Sequence, residues 1–212
     1  MNVLRKLFIS FLFLLFQATV FAQCLQIIDG NGIASNNPRW VHCNGTAYTL
    51  FIQTSRATGP YTIDWGDGTT TNGASFIPPA TISHNYPATL QNYTVTFTEP
   101  GVNCIVTGQL VVERPVNASI TRPVGSGGAT TICAPGSLDF INSSTDASVN
   151  TVFRWDFGDG SPIVIKASND SGVTTSHTYQ RNTVNCNTVV TLEAENFCTT
   201  VPSFASVGPI NI

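Results

Sequence analysis

An all-β fold, with two tandem sandwich domains behind a signal peptide, is predicted by three observations. The pattern Asp-aromatic-Gly-Asp-Gly occurs twice, as Asp64-Trp65-Gly66-Asp67-Gly68 and as Asp156-Phe157-Gly158-Asp159-Gly160. Each copy is followed by a His-x-Tyr, His84-Asn85-Tyr86 and His177-Thr178-Tyr179, so the offsets are 92 and 93 residues and whole domains are duplicated. Between these landmarks, apolar and polar residues alternate at period two, which is the signature of half-buried strands.

The elements follow in order. Residues 1–22 read as an export leader. Arg5 and Lys6 form a basic start, Leu7 to Val20 is apolar, and Val20-Phe21-Ala22 fits a signal peptidase site. The apolar core Leu7–Phe16 is ten residues, short of the roughly 20 that span a bilayer. No second hydrophobic stretch follows, so the mature chain is expected to lack a membrane span and to reside outside the cell or at its surface. One module is expected over 23–115 and another over 116–212, with Val116-Asn117-Ala118-Ser119-Ile120 running directly from the first into the second. Strands are expected at Thr46–Ile52, Tyr61–Trp65 and Tyr93–Phe97, and again at Leu138–Ile141, Phe153–Phe157 and Thr188–Leu192. Gly, Pro and Asn clusters separate them, as in Ile77-Pro78-Pro79. No stretch carries a capped 3.6-residue apolar stripe.

Beyond the leader the chain has seven basic and twelve acidic side chains, a net charge of −5. That balance offers no stripe for phosphates, so nucleic acid is excluded as a partner. All six cysteines lie beyond the leader, and in an exported chain an even count favours disulfides. Cys43 and Cys133 stand at equivalent places in the two copies, as do Cys104 and Cys198. The expected bonds are therefore Cys43–Cys104 and Cys133–Cys198, one inside each module, each worth roughly 4 kcal/mol in the chain-entropy model. Cys24 and Cys186 have no counterparts and remain unassigned.

Within the motif, Gly66-Asp67-Gly68 and Gly158-Asp159-Gly160 read as tight turns leaving buried strands, with the central Asp accepting hydrogen bonds from turn amides. Trp65 and Phe157 should point inward, as should Ile63 and Trp155, while Asp64 and Asp156 face the other side. The large ring has moved by one inward position between copies. Tyr86 and Tyr179 suit tyrosine corners, with buried rings and hydroxyls tied back to backbone. His84 and His177 project on the same side and are expected to bond nearby backbone.

The motif together with Ser83–Tyr86 and Ser176–Tyr179 resembles the PKD (polycystic-kidney-disease) domain family, over nearly all of the mature chain. The resemblance implies an immunoglobulin-like β-sandwich used outside the cell. A leader ending Phe-Ala-Gln-Cys and a stretch such as Phe140-Ile141-Asn142-Ser143-Ser144 further resemble the N-terminal parts of large surface proteins of Bacteroidetes-type bacteria. Those proteins often end in a gliding-motility-associated or type IX secretion sorting domain. The sequence shows no such tail, and whether it is a fragment of a longer polypeptide stays open.

An enzyme would have to use Asp64/Asp67 or Asp156/Asp159 as a carboxylate pair, yet both modules carry the same set and no nucleophile or metalloprotease pattern is present. No catalysis and no cofactor are expected. Calcium would suit these Asp oxygens beside glycines, and some PKD-like domains bind it, but no run of alternating Asp/Asn resembles an EF-hand loop and a turn-capping Asp explains the same residues. Two readings remain. The modules are spacer, adhesion or protein-interaction elements of a surface protein, or they are accessory domains through which a secreted hydrolase grips an extracellular glycan. Trp40 is the best candidate for an exposed aromatic on the second reading, although a lone Trp beside Pro38 more often packs at an edge.

Overall fold

A computed structural model describes residues 24–29, 31–122, 131–181 and 187–212. The leader at 1–22 and Cys186 lie outside them. Strands dominate the described residues, and helix is confined to two short 3-10 turns, Pro100–Val102 and Ser168–Asp170.

Two layers enclose the first core. One sheet runs in the order β2 (Ala34–Ser35), β1 (Ile27–Ile28), β4 (Tyr48–Thr54), β7 (Ile82–Tyr86). The other runs β3 (Arg39–His42), β9 (Cys104–Val112), β8 (Gln91–Glu99), β5 (Tyr61–Asp64), β6 (Thr70–Gly73). Pairing is antiparallel except between β3 and β9, which are parallel from Arg39 opposite Gln109 to His42 opposite Val112. Alternation along β8 sends Tyr93, Val95 and Phe97 inward against Ile63, Trp65, Leu50 and Ile52. The same plan recurs around a second core. β10 (Ile120–Thr121), β11 (Gly136–Asn142) and β14 (Thr174–Tyr179) form one sheet. β13 (Val164–Lys166), β12 (Val152–Asp156), β15 (Asn187–Glu195) and β16 (Ser203–Asn211) form the other. Phe140, Phe153, Trp155, Phe157, Tyr179 and Leu192 fill the space between them. Both units are immunoglobulin-like sandwiches: sequentially distant strands meet in each sheet, and the two inner faces interdigitate.

The two copies place their tryptophan differently, and the polar edge of each indole is served accordingly. Trp65 Nε1 donates to Thr71 Oγ1 at 2.9 Å. Trp155, one inward position earlier in its strand, donates to Asp170 Oδ2 at 2.9 Å. Asp170 is itself buried and also accepts from Asn142 Nδ2. A buried N–H without a partner would be costly, so moving the ring also required a new acceptor.

The disulfides correct the expected pairing. Cys24 bonds Cys104, and Cys43 bonds Cys198, each pair with Cα atoms 5.2 Å apart. Neither Cys43–Cys104 nor Cys133–Cys198 forms. The parallel register explains why. β3 ends level with Val112, so Cys43 lies past one end of β9 while Cys104 begins the other. Nine residues of strand separate them, about 30 Å, against the roughly 7 Å a disulfide tolerates. The second copy repeats the obstacle. Thr131 bridges Asn211 at the end of β16, whereas Cys198 precedes its start. Cys133 is exposed and has no disulfide partner among the described residues.

Cys43–Cys198 therefore joins the two sandwiches, and a polar seam accompanies it. Glu113, wholly buried, accepts through Oε1 from Ser148 Oγ at 2.7 Å and from Asn150 Nδ2. Asn92 and Asn150 exchange amide hydrogen bonds of 3.1 and 3.0 Å. Asn196 Nδ2 donates to the Arg114 carbonyl at 2.7 Å, and the Arg114 guanidinium meets Asp146 at 3.3 Å.

Candidate functional site

The repeated motif builds the same turn twice. As the chain leaves β5, Asp64 Oδ1 accepts from the Gly66 N–H at 2.9 Å, and Gly66 adopts φ +77°. A Cβ there would lie 2.5 Å from the Thr94 carbonyl oxygen, so only glycine lets the turn press onto β8. Asp67 then accepts through Oδ1 from Thr69 N and Thr69 Oγ1, at 3.0 and 2.6 Å. Its other oxygen accepts from His84 Nε2 at 2.7 Å. The imidazole lies flat on Trp65, with ring centroids 4.7 Å apart, and stands edge-on to Tyr86. Gly68, at φ +90°, completes the turn. In the second copy Asp156 Oδ1 caps Gly158 N at 2.8 Å, and Asp159 accepts from Ser161 N at 3.1 Å and His177 Nε2 at 2.8 Å. His177 stacks on Phe157 at 4.0 Å and meets Tyr179 edge-on. Gly158 and Gly160 take φ +71° and +83°. The histidines thus bond the carboxylate of the motif's second Asp, not nearby backbone as the sequence suggested.

The tyrosines diverge. Tyr86 Oη donates to the Trp65 carbonyl at 2.9 Å. Tyr179 is as deeply buried, but its hydroxyl has no hydrogen-bond partner among the described residues. The equivalent carbonyl, that of Phe157, is served from within its own sheet, by Thr188 Oγ1 of the neighbouring β15 at 3.0 Å. Thr188 occupies the place of Tyr93 on β8, as Gly158 lies over Val189 just as Gly66 lies over Thr94. One acceptor had two eligible donors, and the copies chose different ones. Sequence carried no signal of that choice.

Electrostatically the motif is a closed unit. Burial pushes the Asp67 carboxyl up, but its bonds from Thr69 and His84 outweigh this and hold it below the ordinary aspartate value. Asp159 is held low in the same way by Ser161 and His177, against burial. Burial raises both the Tyr86 and Tyr179 phenols, with the nearby Asp67 and Asp159 charges adding to it. Glu99 is likewise lowered despite burial, because Arg56 and the Gly59 N–H bond its oxygens. Thr69, His84 and Asp67 contain the residue types of a hydrolytic triad but not its geometry. In a triad the two ring nitrogens serve different partners. Here Nε2 faces both Asp67 and the Thr69 hydroxyl, the latter at 3.5 Å, and that hydroxyl donates to the same carboxylate. The arrangement fixes a turn against a strand. Among the described residues no group of three or more His, Cys, Asp or Glu side chains gathers to hold a metal ion.

The outer face of the first module's larger sheet is a different surface. Thr94, Thr96 and Thr98 of β8 lie opposite Gln109, Thr107 and Ile105 of β9, with Thr62 and Asp64 of β5 alongside. At its β3 edge is a hollow of about 200 Å³ lined by Asn37, Arg39, Thr94, Thr107, Gly108 and Gln109. Sequence reasoning looked instead to Trp40, which is buried in the core at 2% exposure. Gly108 accommodates it: a Cβ there would meet the Trp40 ring at 2.6 Å.

No family model matches the chain, and no curated protein matches its sequence. Solved structures are similar at low identity. The four N-terminal Ig domains of Dscam1 isoform 4.44 align with 13% identity and a TM-score of 0.45, over 86% of this chain and 44% of that one. Rst D1-D2 aligns with 12% identity and a TM-score of 0.41, over 87% and 98%. Bovine butyrophilin aligns with 10% identity and a TM-score of 0.41, over 79% and 93%. The chain thus spans less than half of the Dscam1 chain. Among the described residues no helix is long and apolar enough to cross a membrane.

Proposed function

We propose that the chain is a non-catalytic extracellular interaction and spacer element, exported by the 1–22 leader and built from PKD-type modules at 23–115 and 116–212 of a bacterial surface protein. The observation that carries this reading is the junction. A covalent bond and several buried polar contacts hold the two sandwiches in one orientation, as a spacer or presenting scaffold requires. The repeated motif supports the same reading, because its carboxylates and imidazoles are spent on each other and on the turn. No acid, base or nucleophile of the motif is left poised for a substrate.

Small-angle scattering of the full chain tests the proposal. The oxidised chain is expected to scatter as one rigid particle of fixed length, and Cys43→Ser/Cys198→Ser to show a broader distance distribution. A flexible, two-bead profile for the oxidised chain would reject it.

A further inference from the structure

We infer that the hollow beside β3 is a binding site for a saccharide carrying a carboxylate, such as a uronic acid residue. This rests on the interaction-module reading and assigns it a ligand class. Everything shared by the two copies is consumed in building the fold, so recognition should lie where the copies differ. The hollow meets that condition: Thr94, on its wall, is replaced at the equivalent place by Val189, which turns a hydroxyl into a methyl. The side chains of Asn37, Thr94, Thr107 and Gln109 make no hydrogen bond to other described residues, so two amides and two hydroxyls converge with their donors and acceptors open. Amides and hydroxyls are the groups that match sugar hydroxyls, which donate and accept at once.

Arg39 sets the charge preference. It makes no ion pair with the described residues, and its guanidinium lies 4.8 Å from the centroid of Phe197, across the junction. That stacking orients a planar fork of donors that suits a carboxylate. Arg39 is the one charged side chain among the residues lining the hollow, so the hollow presents a cation although the chain beyond its leader is net negative. Its volume is below the roughly 300–1,000 Å³ of drug-sized pockets, and it takes one sugar ring at a time.

The test is a titration of the isotopically labelled full chain with oligogalacturonate and with a neutral galactose oligomer of equal length, followed by NMR. Oligogalacturonate is expected to shift the amides of Arg39, Thr94, Thr107 and Gln109, with the neutral oligomer at least about fivefold weaker. Arg39→Gln is expected to weaken binding about tenfold. Thr94→Val, which installs the second copy's own side chain and so leaves the fold intact, is expected to weaken it about threefold. Silence with both sugars, equal response to both, shifts confined to another surface, or undiminished binding by both variants would overturn the assignment. Scattering reports on rigidity independently, so a silent hollow and a flexible junction are separate failures.

Discussion

At the scale of single residues the repeated motif makes sharply different demands on atoms that look alike in sequence. Gly66 and Gly68 both have positive φ, but only Gly66 is pressed against backbone. Gly68→Ala is expected to cost about 1–2 kcal/mol in backbone strain, and Gly66→Ala clearly more, because its Cβ also collides with Thr94. Thermal melts of the two variants check the order, and an equal loss would refute it. The tyrosines offer a second contrast. Tyr86→Phe removes the donor to the Trp65 carbonyl and should cost about 1–3 kcal/mol, whereas Tyr179→Phe removes a hydroxyl with no partner and should be nearly neutral. Denaturant titration measures both. Asp67, Asp159 and Glu99 are all held below their ordinary values, so the stability they contribute is complete above about pH 4.5 and is lost as the pH falls through their lowered values. Melting temperature is expected to drop steeply below about pH 4. Asp67→Asn should lower it at pH 7 and flatten that acid limb, and an unchanged acid profile would show that the His84 pairing contributes nothing.

At the scale of elements, what was legible in the sequence is what is local. Alternation is a property of five or six consecutive residues, so the inward faces of β5, β8, β12 and β15 could be read directly, and with them the all-β sandwich. The turn at Gly66 to Gly68 was legible for the same reason. Contacts between strands far apart in sequence were not. Nothing near His84 indicates that it reaches back 17 residues to Asp67, because β6 intervenes and its path sets the distance. Thr188 taking over the carbonyl that Tyr86 serves in the other copy was equally hidden. It follows that Thr188→Val should destabilise the second module by about 1–3 kcal/mol, while the matching substitution Tyr93→Phe, at a hydroxyl with no partner, should not. Chemical denaturation of each variant distinguishes them. The hollow beside β3 was invisible because it is assembled from three strands and a loop, none of which carries a distinctive motif.

At the scale of the whole molecule the internal symmetry of the sequence misled. Equivalent cysteines suggested equivalent bonds, but the parallel β3–β9 register puts Cys43 and Cys104 at opposite ends of one strand. The bonds that form close 80 and 155 residues of chain, each worth about 4–5 kcal/mol in the chain-entropy model. Cys24→Ser/Cys104→Ser is expected to destabilise the first sandwich selectively, whereas Cys43→Ser/Cys198→Ser should uncouple the unfolding of the two. Calorimetry should show one cooperative transition splitting into two in the latter variant only, and a single transition there would mean that the polar seam around Glu113 suffices. The long bond also imposes an order of events. On a polypeptide emerging from its N-terminus, Cys43 appears long before Cys198, and it must stay reduced while 154 further residues follow. During that interval Cys24 and Cys104 are both within reach of an oxidant. Joining Cys43 to either of them would close the wrong ring, so a refolding mixture oxidised before the second sandwich has formed is expected to return less native protein than one oxidised afterwards.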